Sequence, residues 1–170
     1  MQGGVGDYTW SLGSALSARG VDVHVLTGHE AGPSHLAPAG VANVYADISA
    51  WGWRLAGQVR TVLRDVQPDV LHIQYQSAAF DLHPAINLLP RALRKDPRPR
   101  ALAVTYHDLR TPYIFPKAGS LRWRANLALA QHSNAVIVTN AEDAIRLRQV
   151  QSLAGKLHQA PIGANIQPDP

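Results

Sequence analysis

Short runs rich in β-branched and apolar residues alternate along this chain with stretches whose apolar positions recur every three or four residues. Val21–Thr27 (VDVHVLT), Val70–Tyr75 (VLHIQY), Ala101–Tyr106 (ALAVTY) and Ala135–Thr139 (AVIVT) read as strands, with Leu157–Ile162 and Val41–Tyr45 as weaker candidates. Several of these runs are apolar on both faces, as a parallel sheet covered by helices on either side requires. Between them, Tyr8–Arg19 sets Tyr8, Leu12, Ala15 and Leu16 on one helical face, and Gly20 is placed to end it. Leu55–Val66 aligns Leu55, Val59, Val62, Leu63 and Val66, and Pro68 bars any continuation. Ala141–Gln149 follows Thr139-Asn140-Ala141-Glu142, a capping-box pattern, with acids early and arginines late to suit the helix dipole. Leu121–Gln131 is a further helix, and Pro84–Arg94 is another that Pro90 is expected to break or kink.

This alternation predicts an α/β fold: a Rossmann-like, doubly wound, mostly parallel sheet flanked by helices. Residues 1–160 are assigned to one such domain, and 161–170, ending in Gln167-Pro168-Asp169-Pro170, to the start of an interdomain linker. Gly28–Gly40 and Asp96–Arg100 read as surface loops.

At 170 residues the chain is long enough to bury a core, and with two Phe it must pack mainly with Leu, Val, Ala and Ile. The absence of Cys excludes disulfides, thiolate chemistry and thiolate metal sites and is compatible with a cytoplasmic location. No apolar run approaches the roughly 20 residues of a membrane span, and the first residues lack a signal-peptide pattern. The formal charge of +4 is gathered at Arg91–Arg100 and Lys117–Arg124. Those clusters read first as solvated faces, with an anionic ligand or peripheral contact with the anionic inner face of a membrane as the alternatives. Nucleic acid is not expected, because basic and aromatic residues interleave only at Arg122-Trp123-Arg124.

The chain opens on Gly3-Gly4-Val5-Gly6-Asp7-Tyr8. Glycines at a helix N-terminus let a loop approach a ligand and present backbone N–H groups to phosphate. Such a loop ordinarily follows a buried strand, so a strand ahead of Gly3 is expected but is not in this sequence. Without it, Val21–Thr27 and Val70–Tyr75 lose their shared neighbour. They are then expected to pair directly, to borrow a segment, or to self-associate through exposed edges. As a dinucleotide fingerprint the motif departs from pattern, with Thr9 where the third Gly belongs; Glu30 is the one candidate ribose-binding acid for an NAD(P) reading.

Ligands in open α/β sheets bind beyond the C-terminal ends of the strands. That rule singles out His107 and Asp108 after Ala101–Tyr106, and Tyr75 and Gln76 at the end of the neighbouring run. Tyr75 reads equally as a packing residue, His72 as a core histidine, and Asn140 as a helix cap. Lys117, Arg122 and Arg124 could hold a phosphate or be solvated. The eight His show no metal-ligand spacing, and no nucleophile elbow is present, so neither a metal nor a covalent nucleophile is assigned.

Four segments in order carry a resemblance. They are Gly3–Tyr8 with Ala18-Arg19-Gly20-Val21-Asp22-Val23-His24-Val25, then Pro68–Tyr75, then Ala103-Val104-Thr105-Tyr106-His107-Asp108, and last Ala135–Asn140 followed by Pro161–Ile166. Together they resemble the N-terminal domain of retaining glycosyltransferases with two Rossmann domains, the GT-B enzymes of glycosyltransferase family four, or group one. Val41–Trp53 shows no family signal. The resemblance implies an acceptor-side domain, inactive alone. Its partners would be a glycosyl acceptor, a nucleotide-sugar donor used as substrate with no further cofactor, and a C-terminal donor-binding domain. It implies that Gly3, Gly4 and Gly6 lie beside the donor phosphates or the acceptor, and that His107 serves the transferred sugar as the catalytic residue. Tyr75, Gln76, Asp108, Lys117 and Arg124 are the remaining substrate-binding candidates. A stand-alone, non-catalytic binding module of the same fold and an NAD(P)-binding Rossmann protein are the competing functions.

Overall fold

A computed structural model describes residues 4–29, 41–94, 99, 101–109 and 119–163. The elements run α1 (Gly4–Ser17), β1 (Val23–Gly28), β2 (Val41–Ile48), α2 (Leu55–Val66), β3 (Val70–Gln76), α3 (Ala85–Ala92), β4 (Ala101–Asp108), α4 (Gly119–His132), β5 (Ala135–Val138), α5 (Ala141–Arg148) and β6 (Leu157–Gln159). Single 3₁₀ turns, Ser77–Phe80 and Gln151–Leu153, follow β3 and α5. All described strand pairs are parallel: β1 with β2, and β3-β4-β5-β6 in sequence order. The result is the Rossmann-like, doubly wound α/β architecture that the alternation of elements predicts.

The core lies on β4 and β5. Val104, Tyr106, Val136 and Val138 are wholly buried there, together with Leu129 of α4 and Leu147 of α5. Alternation along β3 separates two faces. Ile73 and Tyr75 turn toward α3 and α4, where the Tyr75 hydroxyl donates to Asn126 Oδ1 at 2.8 Å and accepts from Asn87 Nδ2 at 3.1 Å. His72, Gln74 and Gln76 occupy the opposite face, the one nearer α1.

Several boundaries differ from the sequence expectation for identifiable reasons. Helix α1 starts at Gly4, four residues before Tyr8, so the glycines from Gly4 onward belong to the helix's first turn and not to a preceding loop. Gly20, at φ +83°, ends that segment as expected. Pro90 does not break α3: Leu93 N–H still reaches Leu89 O at 2.9 Å, and burial of Ile86, Leu89, Pro90 and Leu93 outweighs the one hydrogen bond that proline forfeits. The cap of α5 is one residue later than a Thr139–Glu142 box. Asn140 Oδ1 accepts from Asp143 N–H at 2.8 Å while Asp143 Oδ2 accepts from Asn140 Nδ2 at 2.8 Å. The run at Val41–Tyr45 extends to an eight-residue strand because its ladder with β1 supplies the backbone partners its mixed sequence does not advertise. The predicted loops at 28–40 and 96–100 and the tail at 161–170 fall largely outside the described residues, as does Glu30.

β1 and β3 do not pair directly. Among the described residues each has a single neighbour, β2 and β4 respectively, and a cleft of about 960 Å³ lies between them.

Candidate functional site

The C-terminal ends of β3 and β4 and the start of α5 enclose a second, smaller hollow of about 400 Å³, lined by Gln76, His107, Asp108, Asn140, Glu142 and Asp143. Its position follows from the winding of the chain. In parallel strands every C-terminal end reaches the same rim, and the chain leaving β5 turns there into α5. Asp143 braces the floor. It is buried, and besides its reciprocal cap with Asn140 its Oδ2 accepts from the Leu109 N–H at 3.2 Å, tying the residue after β4 to the first turn of α5.

His107 stands between this hollow and α1. Its Nε2 lies 3.0 Å from Gln74 Oε1, and its ring meets Tyr8 edge to face with centroids 4.7 Å apart. Gln74 Nε2 is in turn 3.3 Å from His72 Nε2, which is 2.8 Å from Thr105 Oγ1. Gln74 Oε1 accepts from His107 Nε2–H, which makes His107 the Nε2–H tautomer with Nδ1 as its acceptor. His72 Nε2 shares a hydrogen bond with the Thr105 hydroxyl. Burial lowers the pKa of both rings, and for His72 the nearby His107 adds to the effect. Both are therefore neutral near pH 7.

This has a measurable consequence. A ring whose folded pKa is depressed binds fewer protons in the folded state, so its stabilising contribution is intact above the unfolded value of about 6.5 and is lost as pH falls below it. Tm is expected to be flat above neutrality and to drop on acidification through about pH 6.5. The double variant His72→Gln/His107→Gln should show a shallower drop over the same window. An identical profile for the variant would show that these rings are not the titrating groups.

Of the sequence candidates, the structure brings together Gln76, His107 and Asp108, and it adds Asn140 in its capping role. Tyr75 is not brought there: it is 2% exposed on the opposite face and hydrogen-bonded within the core, because an odd position on β3 faces α3 and α4. Arg124 is exposed on α4 and does not line the hollow. Trp123 is covered by the Arg146 guanidinium, 3.9 Å from its ring centroid, so it offers that face to its own chain. Gly3 and Lys117 lie outside the described residues. Gly4 and Gly6 line the larger cleft beside α1. His72 is half-buried and hydrogen-bonded, with one side toward that cleft.

A Cβ placed on Gly4 meets nothing within 4 Å, and Gly4 already has a place in the helix. Gly4→Ala is therefore expected to raise unfolding stability by about 0.5 kcal/mol through helix propensity. A fall in Tm would instead assign this glycine a backbone role.

Three participants escaped sequence reasoning: Gln74, Tyr8 as the ring against His107, and the carboxyl pair Glu142 and Asp143. Gln74 had a signal in the i, i+2, i+4 series His72-Gln74-Gln76, a polar face on a strand otherwise read as apolar. The carboxylates had none, since acids in a first helical turn are accounted for by the dipole alone.

Among the described residues no group of His, Asp and Glu is arranged to hold a metal, and no described helix is long and apolar enough to cross a membrane. Residues 3–163 match the family model described as the glycosyl transferase 4-like domain. Comparison with curated proteins gave no match, and comparison with solved structures gave none either.

Proposed function

Because the chain belongs to the glycosyl transferase 4-like domain family, we propose that it is the acceptor-side domain of a retaining GT-B glycosyltransferase of family four, or group one. In this reading its hollow at the strand ends receives the acceptor hydroxyl. The observation that carries the proposal is the make-up of that hollow: a neutral imidazole, two amides and three carboxyl side chains, with no Lys or Arg among the described residues that line it. Amides and carboxylates bind hydroxyl groups, whereas a diphosphate in a site of this charge would be repelled. The donor's phosphates are accordingly left to a donor-binding domain and to backbone N–H groups at the start of α1, near Gly4 and Gly6.

In the reaction so assigned, the acceptor oxygen forms a bond to the anomeric carbon as the bond from that carbon to the nucleotide diphosphate breaks. The departing phosphate oxygen takes the acceptor's proton, on the same face, with retention. No cofactor beyond the nucleotide-sugar substrate enters. His107, held by Gln74 and Tyr8, turns its Nδ1 acceptor to a hydroxyl of the acceptor or of the transferred sugar. Gln76 and Asp108 orient the acceptor. The cytoplasm, with contact at the inner face of a membrane through basic residues such as Arg124, is the setting that fits this reading.

Transfer assays with the isolated chain and a panel of nucleotide sugars are expected to show no turnover, and the same chain joined to a donor-binding domain should transfer. Robust turnover by the chain alone would overturn the acceptor-side assignment. Fluorescence titration with NADH or NADPH should show no saturable binding; saturation would favour a dinucleotide-binding protein instead.

A further inference from the structure

The segment Val41–Trp53, which shows no family signal, ends in Trp51-Gly52-Trp53 between β2 and α2. Both tryptophans clasp the turn that follows β3. Trp51 is half-buried against the core, a Cβ on Gly28 at the end of β1 would lie 3.7 Å from its indole, and its ring meets Phe80 edge to face with centroids 4.7 Å apart. Trp53 meets His83 in the same way at 4.8 Å, yet it is 70% exposed. Trp51 therefore belongs to the core, whereas Trp53 is held in place with most of its indole open.

The turn that carries His83 has an uncommon backbone. Asp81 and Leu82 are both left-handed, at φ 51° and 56°, a conformation that a bulky side chain such as leucine rarely takes. It folds the chain back on itself. Leu82 N–H donates to Ser77 O at 3.0 Å, which keeps the His83 Cα within roughly 15 Å of that of Gln76, a residue lining the hollow. Ala85 N–H donates to His83 Nδ1 at 3.1 Å, so this ring carries its proton on Nε2 and is a donor there. Trp53 and His83 thus form one ledge at the strand ends, beside the hollow.

The negative face of an indole attracts polarised C–H groups, and a donor beside it suits a hydroxyl. A sugar ring offers both, C–H groups across its face and hydroxyls around its edge. The exposed residues flanking the pair in the chain are Arg54, Asp81 and Pro84, a setting for a hydrated ligand. A lipid surface or an apolar protein face calls instead for adjoining aliphatic side chains. We propose that Trp53 and His83 form a second saccharide subsite, which stacks a further ring of an acceptor whose reacting end lies in the hollow at Gln76 and His107. The proposal rests on the acceptor-side reading and makes the acceptor a glycoside of more than one ring.

The test follows the Trp53 indole N–H and the backbone amides of the isotope-labelled 170-residue chain. The probes are maltose, cellobiose and mannobiose, each set against methyl glucoside or methyl mannoside, and vesicles of phosphatidylcholine and phosphatidylglycerol. At least one disaccharide is expected to move Trp53 and His83 together with the hollow amides. Trp53→Ala should weaken its binding about tenfold while leaving Tm and monosaccharide binding in the hollow unchanged, and Trp53→Phe should recover part of the loss. Disaccharide shifts confined to the hollow, or equal affinity in Trp53→Ala, would overturn the subsite and leave the acceptor hollow standing. Saccharide shifts at Trp53 with none in the hollow would overturn its part in an acceptor site. Silence at both places would overturn the subsite and the acceptor-side reading together. Movement of Trp53 by vesicles and by no saccharide would overturn the subsite in favour of a lipid surface.

Discussion

Replacing Asn126 with alanine is expected to lower the unfolding free energy by about 2–6 kcal/mol, from two buried donor hydrogens that lose their acceptor at about 1–3 kcal/mol each. Asn126 Oδ1 accepts from both the Tyr75 hydroxyl at 2.8 Å and Asn87 Nδ2 at 3.0 Å, and all three residues are buried between β3, α3 and α4. Its backbone carbonyl accepts from the Tyr106 hydroxyl at 2.7 Å, a bond the substitution leaves in place. Tyr106→Phe isolates that bond and should cost only about 0.5–1.5 kcal/mol, since it removes the donor itself. Urea unfolding of the two variants checks both figures. A loss below about 1 kcal/mol for Asn126→Ala would mean that the network is relieved by water and does not fix α3 and α4 on β3.

His107→Ala, measured in a protein in which this domain is joined to a donor-binding domain, should lower kcat about 100- to 1,000-fold with a much smaller rise in the acceptor KM. The effect is expected in kcat because an acceptor nitrogen fixed by Gln74 and Tyr8 matters most when hydroxyl geometry tightens in the transition state. Gln74→Ala leaves the ring in place but removes its partner, so it should reproduce part of the kcat loss and alter the pH profile. Thermal unfolding of each variant separates this from simple destabilisation. Near-normal turnover of His107→Ala would remove His107 from the site whatever its effect on Tm.

The sheet was legible because parallel, doubly covered strands need apolar runs, and β3, β4 and β5 supply them with little ambiguity. β2 was faint because its sequence, VANVYADI, includes polar and acidic positions that its pairing with β1 tolerates. The rim rule pointed to Gln76, His107 and Asp108, which the structure brings around one hollow. For Tyr75 it left a rim and a packing reading open, because being near a strand end does not say which face a side chain takes; counting alternate positions back from Gln76 selects the packing reading. The contacts of His107 with Gln74 on a neighbouring strand and Tyr8 on a helix about a hundred residues earlier depend on register and packing, to which a single chain's pattern gives no access.

The central claim is that the hollow at Gln76, His107 and Asp108 binds hydroxyl-rich acceptors and not the donor diphosphate. Backbone amide shift mapping of the isotope-labelled chain tests it most directly, with methyl glucoside, methyl mannoside and inositol as acceptor probes and a nucleoside diphosphate as the donor probe. At least one polyol should give saturable shifts confined to Gln76, His107–Leu109 and Asn140–Asp143, lost in His107→Ala, while the nucleoside diphosphate leaves those amides unmoved. Saturable shifts of the same amides by the nucleoside diphosphate, with none from the polyols, would contradict the account.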